Sequence, residues 1–321
     1  MWMIRATVKR SSKGGRELKL LLLANSSASS VTARARVVIR KALSADHEVI
    51  VAETARRGHA TRLAHSAAVE GCDAVVVLGG DGTLNEAANG LAGTDTALAP
   101  LPGGSTNVFA RTIGLPNDPI EATGVLIEAL ARRSIRRVGL GSVNGRYFLF
   151  HVGVGFDAAV VAQVERRGDL KRWASHPLFI YAAFDTWIRH YDRSRPRLAV
   201  HHTDGTVVDD SYLTIVLNTS PYTYVGPRPF DLAPEATLDR GLVSVSIRTL
   251  SFLRFLRLVA SSLGSGNALR RSRWVDYRAD LGELAVRGHG PVPYQVDGDY
   301  LGEIDELDFK HQPASMKLVL P

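Results

Sequence analysis

Apolar and polar positions in the first half of the chain alternate between strand-like and helix-like patterns. Residues 18–24 form a nearly continuous apolar run that stops at Asn25, which is typical of a strand buried on both faces of a parallel sheet. The pattern continues with a helix, a strand, a second helix and a third strand, at 31–43, 47–53, 55–70 and 73–78. This alternation predicts a doubly wound α/β layer, whose ligands bind beyond the carboxyl ends of its strands.

Beyond residue 135 the pattern changes to short β-type segments separated by turns. These segments lie at 137–143, 147–152, 197–202, 212–218, 241–249 and 285–287. They predict an antiparallel β-rich domain with two inserted helices. We therefore expect an α/β domain over 1–135 and a β-rich domain over 136–321. The last apolar run, 316–320, is free to return to either domain.

Composition and charge narrow the class of protein. The chain has 321 residues, 45% hydrophobic and 22% charged, which suits a soluble globular protein with two domains. Its net charge of +7 favours anionic partners, but nothing beyond that charge suggests nucleic acid, and we expect none. The single cysteine, Cys72, cannot form an internal disulfide, and no apolar stretch approaches the roughly 20 residues that span a bilayer. These features favour a cytoplasmic protein.

The most informative segment is VVVLGGDGTLNEAANG at 75–90, where an apolar run leads into three glycines around Asp81. Glycine lets the backbone approach a bulky anion and adopt conformations that a Cβ forbids. Backbone N–H groups in such a turn, together with the positive end of the following helix, suit phosphate oxygens. Gly79, Gly80 and Gly82 therefore predict a phosphate-binding loop at the end of the third strand.

The polar residues of this loop carry separate expectations. Asp81 lies between glycines at a strand end, where a purely structural turn offers it no obvious partner, so we assign it to phosphate or magnesium binding. Thr83 and Glu86 match a capping box, in which Thr83 caps the helix and Glu86 reaches back to the same turn. A structural role and a role in phosphate binding are both open for Thr83 and Glu86.

A second glycine turn, LPGGSTN at 101–107, follows another short apolar segment. It should also lie at a strand end, which places two phosphate-facing loops side by side at one sheet edge. The chain lacks a GxxxxGKS or GxxxxGKT loop, and no GxGxxG follows its first strand. These absences argue against a P-loop enzyme and against an ordinary dinucleotide oxidoreductase.

Two acids near the end of the chain complete the candidate site. Asp297 and Asp299 flank Gly298 in YQVDGDY at 294–300. In an extended stretch, positions two apart point to the same face, so both carboxylates could converge on one site. Paired acids suit a general base and a partner that positions a metal ion or phosphate. An ordinary turn at a hairpin tip is the structural alternative.

With these residues assembled, the sequence resembles the diacylglycerol kinase catalytic-domain family, which includes bacterial lipid kinases and sphingosine and ceramide kinases. The resemblance covers nearly the whole chain. GGDGTLNE at 79–86 resembles the signature loop of the family, and LPGGSTN resembles its second nucleotide loop. Weaker matches are Asn25 with Ser29, Thr54 before Gly58, His59 and Ala60, GVGFDA at 153–158, and the pair Asp297 and Asp299.

The resemblance implies an ATP-dependent lipid kinase with a lipid pocket in the β-rich domain and diacylglycerol as the expected substrate, taken from a membrane surface. By this analogy Asp297 or Asp299 would deprotonate the lipid hydroxyl, and Asp81 would act with Mg²⁺ and the phosphates. The residues implied to hold ATP are Asn25, Ser29, Thr54, Gly79, Gly80, Asp81, Gly82, Thr83, Glu86, Gly104, Ser105 and Asn107.

Several positions depart from the family pattern. Ser26 replaces the proline of an Asn-Pro pair, Val108 replaces the acid of GTxND, and Asp299 replaces the glutamate of DGE. The family often carries paired acids before a glycine, associated with a structural magnesium ion. Those positions are Asp239 and Arg240 here, so Asp239 is the expected metal ligand and Arg240 disturbs its site.

Two other functions are open from the sequence. NAD kinases share the GGDGT loop and a related two-domain plan, although LPGGSTN and the late DGD favour a lipid kinase. The altered positions suggest a second alternative, a nucleotide-binding regulatory protein without turnover. The oligomeric state is not determined by the sequence, and a homodimer is compatible with it.

A membrane contact is expected of two segments that combine aromatic and aliphatic residues with arginine. They cover 171–191 and 252–258, and both match basic interfacial helices. A core-facing helix with a charged outer face is the more common outcome for such patterns. Flotation with liposomes that contain or lack anionic lipid would distinguish the two, because a purely structural role predicts no binding.

Overall fold

The computed structural model describes residues 17–25, 28, 31–166, 181–264 and 267–321. Ser26, Ser29 and the first part of the predicted 171–191 helix lie outside the described residues. The first half contains a parallel sheet in the order β2-β1-β3-β4. Its strands are Lys19–Ala24 (β1), Glu48–Glu53 (β2), Ala74–Gly79 (β3) and Ala97–Pro102 (β4).

Helices cover both faces of these strands. They are Ala33–Leu43 (α1), His59–Val69 (α2), Asp81–Leu91 (α3), Val108–Thr112 (α4) and Pro119–Ala131 (α5). Because side chains alternate along a strand, Leu20 and Leu22 pack with α1 and α5, while Leu21 and Leu23 pack with α2 and α3. The doubly wound α/β prediction is confirmed.

The second half is rich in antiparallel strands. They are Ile135–Val143 (β5), Arg146–Phe148 (β6), His151–Gly155 (β7), Leu198–His202 (β8), Val207–Ser211 (β9), Leu213–Leu217 (β10), Thr223–Val225 (β11), Arg228–Phe230 (β12), Leu242–Ile247 (β13), Val275–Leu281 (β14), Glu283–Val296 (β15) and Asp299–Val319 (β16). The helical elements are Phe156–Glu165 (α6), a π-helical turn at Thr186–His190, Phe252–Ser262 (α7) and Asn267–Arg270 (α8). The prediction of a β-rich second half is confirmed.

Strand β16 joins the two halves. It pairs antiparallel with β15 and β5, and near its end Lys317 and Leu318 pair in parallel with Ala97 and Leu98 of β4. The last apolar run therefore lies beside the strands of the first half. One 14-stranded sheet contains strands of both halves, and β11 and β12 form a separate two-stranded sheet. The domain boundary near residue 135 stays a prediction.

The predicted strand at 147–152 is interrupted. Strand β6 ends at Phe148 and β7 begins at His151, because the N–H groups of Leu149 and Phe150 donate to the side chain of Asp297 instead of to a neighbouring strand. Among the described residues, no helix is both long enough and apolar enough to cross a bilayer.

Candidate active site

Four loops meet where the parallel strands end. Asn25 follows β1, Thr54 follows β2, and the two glycine turns follow β3 and β4. The Nδ2 group of Asn25 donates to Oγ1 of Thr83 at 2.9 Å, and Thr54 lines the same pocket as Asn25 and Thr83. The structure thus brings these sequence-predicted residues together at the carboxyl edge of the sheet, as expected for a doubly wound layer.

The two glycine turns pack against each other at backbone distance. A Cβ on Gly103 would lie 2.8 Å from the backbone N of Gly79, and a Cβ on Gly104 would lie 2.8 Å from Cα of Gly80. None of Gly79, Gly80 and Gly82 has a backbone φ angle in the left-handed region. The expectation that this loop needs conformations forbidden to a Cβ is therefore wrong. Close approach of the second loop to Gly79 and Gly80, and of Asp299 to Gly82, accounts for the glycines instead.

Asp81 links the two loops. Its Oδ2 accepts a hydrogen bond from the N–H of Val108 at 2.9 Å and its Oδ1 accepts one from the N–H of Phe109 at 3.1 Å, at the start of α4. Burial raises the pKa of Asp81, these backbone hydrogen bonds oppose the rise, and the charge of Asp299 adds to it. The expectation that Asp81 has no structural partner is wrong, while its role with magnesium and phosphate stays a prediction.

Asn107 shapes the second loop from within. It is buried in a left-handed conformation with φ 51°, and its Oδ1 accepts from the N–H groups of Gly103 at 3.1 Å and Gly104 at 2.7 Å. Its Nδ2 donates to Oδ1 of Asn117 at 2.8 Å. Asn107 therefore supports the loop, while Ser105 is exposed at its tip.

The capping-box prediction for Thr83 and Glu86 is wrong. Helix α3 begins at Asp81 with Gly80 as its N-cap, so Thr83 already lies in the first turn. The carboxylate of Glu86 accepts from the N–H groups of Gly58 at 2.7 Å and Ala60 at 3.1 Å, at the start of α2. Glu86 thus caps a neighbouring helix and holds the loop after β2 against the loop after β3.

Asp297 is buried, and both of its carboxylate oxygens accept hydrogen bonds. Its Oδ2 accepts from Nδ2 of Asn85 at 2.7 Å and from the N–H of Leu149 at 2.7 Å. Its Oδ1 accepts from the N–H groups of Phe150 at 2.9 Å and His151 at 3.0 Å. Burial raises the pKa of Asp297 to about 6 although these hydrogen bonds oppose the rise. This carboxylate fastens the turn after β15 to α3 and to the start of β7.

Asp299 points elsewhere. It lies across a hairpin turn from Val296, and Asp297 adopts a left-handed conformation with φ 49° within that turn. The expectation that both carboxylates share a face is therefore wrong, because the stretch is not extended. The Oδ1 of Asp299 lies 3.7 Å from Arg57, and its Oδ2 would lie 3.0 Å from a Cβ on Gly82. Asp299 is thus the acid that faces the first glycine loop.

A buried hydrogen-bond network supports the turn that carries Asp299. The N–H of Gly298 donates to Oε1 of Gln295 at 2.8 Å, and Nε2 of Gln295 donates to Oδ2 of Asp157 at 2.9 Å. The hydroxyl of Tyr222 donates to Oδ1 of Asp157 at 2.6 Å. Asp157 belongs to the GVGFDA segment, so that segment positions the late acid turn from behind.

Two adjoining pockets of about 280 and 260 Å³ lie between these elements. They share Arg57 and Glu86, and Asp299 lines the larger one. The larger pocket also includes Thr61, Asn89 and Arg146, and the smaller one includes Asn25, Thr54, Arg56 and Thr83. Asp299, the residues that follow β1 and β2, and Thr83 and Glu86 of α3 therefore line one cleft.

Comparison with known proteins agrees with this geometry. Residues 19–143 match the family model described as the diacylglycerol kinase catalytic domain. A probable lipid kinase YegS-like from Pseudomonas aeruginosa (strain UCBPP-PA14) is 30% identical over 305 residues, covering 94% of this chain and 94% of the relative. This chain belongs to the diacylglycerol kinase family of lipid kinases.

Other members of the family extend the comparison. A diacylglycerol kinase from Staphylococcus aureus (strain JH9) is 28% identical over 265 residues, covering 81% of this chain and 78% of the relative. The crystal structure of a putative diacylglycerol kinase from Bacillus anthracis str. Sterne has a TM-score of 0.74 and 22% identity, covering 96% of this chain and 98% of that chain. This chain therefore shares the fold of that solved structure over nearly its whole length.

Three basic residues of the cleft in this family member were missed by sequence reasoning. Arg56 and Arg57 lie in the loop after β2, and Arg146 begins β6 and donates to Oδ1 of Asn85 at 2.8 Å. The position of Arg56 and Arg57 shortly after the second predicted strand could have indicated both residues, because that loop lies at the ligand-binding edge of the sheet. Nothing near Arg146 in the sequence marks it.

Asp239, the expected metal ligand, is an exposed residue that forms an ion pair with Arg136. Arg240 lies 3.7 Å from Asp280. Within the described ranges, no group of three or more His, Cys, Asp and Glu side chains could hold a metal ion. The metal assignment for Asp239 stays a prediction without a supporting cluster around it.

Proposed function

We propose that this chain transfers the γ-phosphoryl group of ATP to the hydroxyl group of a lipid, with diacylglycerol as the first substrate to test. The observation that carries the proposal is the position of Asp299 against Gly82. It brings an acid from the second half of the chain to the loop best suited to phosphate. Phosphoryl transfer needs such a juxtaposition of a base and a phosphate cradle.

The cleft suits a triphosphate in charge and donor geometry. Helix α3 begins at Asp81, so the first backbone N–H groups of that helix have no intrahelical acceptor and, with the positive end of the helix dipole, suit phosphate oxygens. Thr83 of this first turn lines the smaller pocket. Arg56 and Arg57 add two cations to the same pocket as Asn25 and Thr83. Arginine pairs well with phosphate because its planar donors match phosphate oxygens.

In the proposed step, the lipid hydroxyl oxygen forms a bond to the γ-phosphorus as the bond from that phosphorus to the β–γ bridging oxygen breaks. ADP leaves with the bridging oxygen, and the hydroxyl proton moves to the carboxylate of Asp299. The guanidinium group of Arg57 lies 3.7 Å from Oδ1 of Asp299 and helps to orient this carboxylate. Asp297 does not face the cleft, and its role is to hold the turn.

Magnesium would be held by Asp81 together with phosphate oxygens and water. Each carboxylate oxygen of Asp81 accepts one backbone hydrogen bond and keeps a further lone pair, so the donor chemistry fits a hard cation. When bound, the ion would offset the negative charge of the triphosphate. The reaction would take place at a cytoplasmic membrane surface, where ATP and lipid are both available.

The test is transfer of label from γ-labelled ATP to lipid, followed by mass spectrometry of the extract. The purified protein is incubated with diacylglycerol in mixed micelles, and a parallel reaction contains NAD. We expect labelled phosphatidic acid and no labelled NADP. Asp299→Asn should lower the rate by roughly a hundredfold or more, the usual contribution of a general base.

Asp305→Asn is the matched control. Asp305 is an exposed acid on the same strand, six residues along the chain from Asp299. Labelled NADP without labelled lipid would favour an NAD kinase, and ATP binding without any product would favour a regulatory protein. Full lipid kinase activity in Asp299→Asn would overturn the assignment of the base.

A further inference from the structure

A cluster of apolar side chains on the second half of the chain is exposed to solvent. It is formed by α7 and by residues in and next to the π-helical turn. We call this surface the α7 patch, and its members are Leu253 (76% exposed), Leu256 (52%), Phe184 (52%), Ile188 (50%) and Phe252 (43%). Contiguous apolar surface of this kind marks an interaction site more often than isolated exposed residues do.

Helix α7 is apolar on two opposite faces. Leu258 is buried in the core, and Phe255 contacts Phe156 of α6 edge to face at 5.7 Å. Leu253 lies on the opposite side of the helix, five residues before Leu258, and Leu256 flanks it. A helix that only covered the core would carry polar or charged side chains at positions 253 and 256, where this helix has leucine. The core-facing alternative therefore does not account for the outer face.

Ring contacts join α7 to the π-helical turn. Trp187 and Phe252 have ring centroids 5.4 Å apart, and Phe184 lies 6.2 Å from Phe252. The indole Nε1 of Trp187 donates to the carbonyl of Leu250 at 3.1 Å, just before α7. These contacts place the exposed apolar residues of the π-helical turn beside the start of α7.

The part of the patch formed by α7 lies in a strongly basic segment of the chain. From residue 241 to residue 275 the chain contains six arginines and no acidic residue. Arg254 lies over the ring of Trp274 at 4.3 Å, and Arg193 lies over Trp187 at 3.9 Å, so both guanidinium groups are held beside the apolar surface. Arg257, on α7 itself, is exposed.

We propose that the α7 patch docks the protein on an anionic lipid bilayer. Exposed Leu and Phe side chains on a helix with arginines and no acids match an element that lies in the headgroup region, and anionic lipids attract its basic rim. The charge complementarity selects a bilayer, because a second copy of this chain would bring the same arginines together. The proposal rests on the proposed function, which requires a substrate taken from a membrane.

Helix α6 connects the patch to the cleft. Phe156 at its start contacts Phe255, and Glu165 at its end accepts a hydrogen bond from the N–H of Tyr300 at 3.0 Å, next to Asp299. Ten residues of helix span about 15 Å. Docking through the α7 patch would therefore place the cleft within a short distance of the headgroups.

The test is flotation of the full chain with vesicles of phosphatidylcholine alone or mixed with phosphatidylglycerol, without ATP or substrate. We expect binding that increases with phosphatidylglycerol and decreases with salt. Leu253→Glu should weaken binding roughly tenfold or more, since it replaces a leucine that would insert into the bilayer interface by a charged side chain. Arg257→Gln should weaken binding to anionic vesicles about fivefold.

Val69→Glu on α2 is the matched control, because Val69 is 75% exposed on a helix of the first half. Leu253→Ser removes the apolar side chain without adding a charge. The melting temperature of each variant shows whether that variant is misfolded. Equal binding of Leu253→Glu and the unchanged protein, or equal loss in Val69→Glu, would overturn the proposal. It would also be overturned by a wild-type dimer that Leu253→Glu dissociates while neither protein binds vesicles.

A second readout separates this proposal from the proposed function. Leu253→Glu should lose activity on diacylglycerol in anionic vesicles and keep activity on a short-chain diacylglycerol dissolved as monomers. If the unchanged protein phosphorylates neither substrate but still binds vesicles, the proposed function fails and the docking surface stands. If it phosphorylates both and Leu253→Glu matches it on vesicles, the docking surface fails and the kinase stands.

Discussion

Gly103→Ala tests whether close packing of the two glycine loops holds the cleft together. A Cβ at position 103 would lie 2.8 Å from the backbone N of Gly79, 2.9 Å from Cα of Gly79 and 2.8 Å from Cγ2 of Val31. The best separation of such atoms is about 3.5 Å or more. The loops must therefore move apart by about half an ångström or more, and two of the three contacts are with backbone that cannot rotate away.

The expected cost follows from those contacts. Inserting a methyl group into a packed core typically costs about 1–3 kcal/mol, and Ala recovers part of this by restricting the unfolded chain. We expect Gly103→Ala to lower the free energy of unfolding by about 1–2 kcal/mol in urea titrations. Binding of ATP should weaken in calorimetry, because the displaced backbone belongs to Gly79 in the first loop.

Gly124→Ala is a control that should raise the free energy of unfolding instead of lowering it. Gly124 lies in α5, and a Cβ there would meet nothing within 4 Å. Ala is a better helix former than Gly, so this variant should be more stable by about 0.5–1 kcal/mol and should bind ATP normally. If Gly103→Ala were as stable as Gly124→Ala and kept full ATP affinity, the loops would not depend on their close approach.

Two further outcomes follow from the buried groups. Burial lowers the pKa of His151 to about 3, so unfolded chains take up a proton below about pH 6.5 that the folded protein excludes. Stability from His151 is complete above that pH and falls by about 2 kcal/mol between pH 6.5 and 5, and His151→Gln should lack this loss in urea titrations across that range. Asp297→Asn leaves two buried N–H donors facing an amide NH₂ group, and unfolding titrations should show a loss of about 1–3 kcal/mol. Asp305→Asn, an exposed change on β16, should alter stability by less than about 0.5 kcal/mol.

Sequence reasoning located the first half well because strong local signals agree there. The run at 18–24 is apolar at nearly every position, as a strand covered on both faces must be, and it forms β1. The glycine turns follow buried strands, which places them at the edge where parallel strands end. For these elements, local pattern and tertiary position carry the same information.

The remaining elements depend on distant partners. Strands β14 and β16 carry charged residues on exposed positions, so their sequences lack a strong apolar pattern, and their pairing with β13 and β15 stabilises them. The partner of Asp81 is the start of α4, and the partner of Asp297 is the break between β6 and β7. No spacing rule within the chain indicates such contacts. The capping-box pattern at Thr83 indicated a local contact instead of a distant one.

The long strand β16 has a consequence for synthesis of the chain. Strand β4 gains its second neighbour from Lys317 and Leu318, which follow it much later along the chain. A growing chain on the ribosome would therefore hold β4 as an open sheet edge until the end of β16 has been synthesised. Deletion of residues 316–319 would expose that edge in the first half of the chain, far along the sequence from the deleted residues.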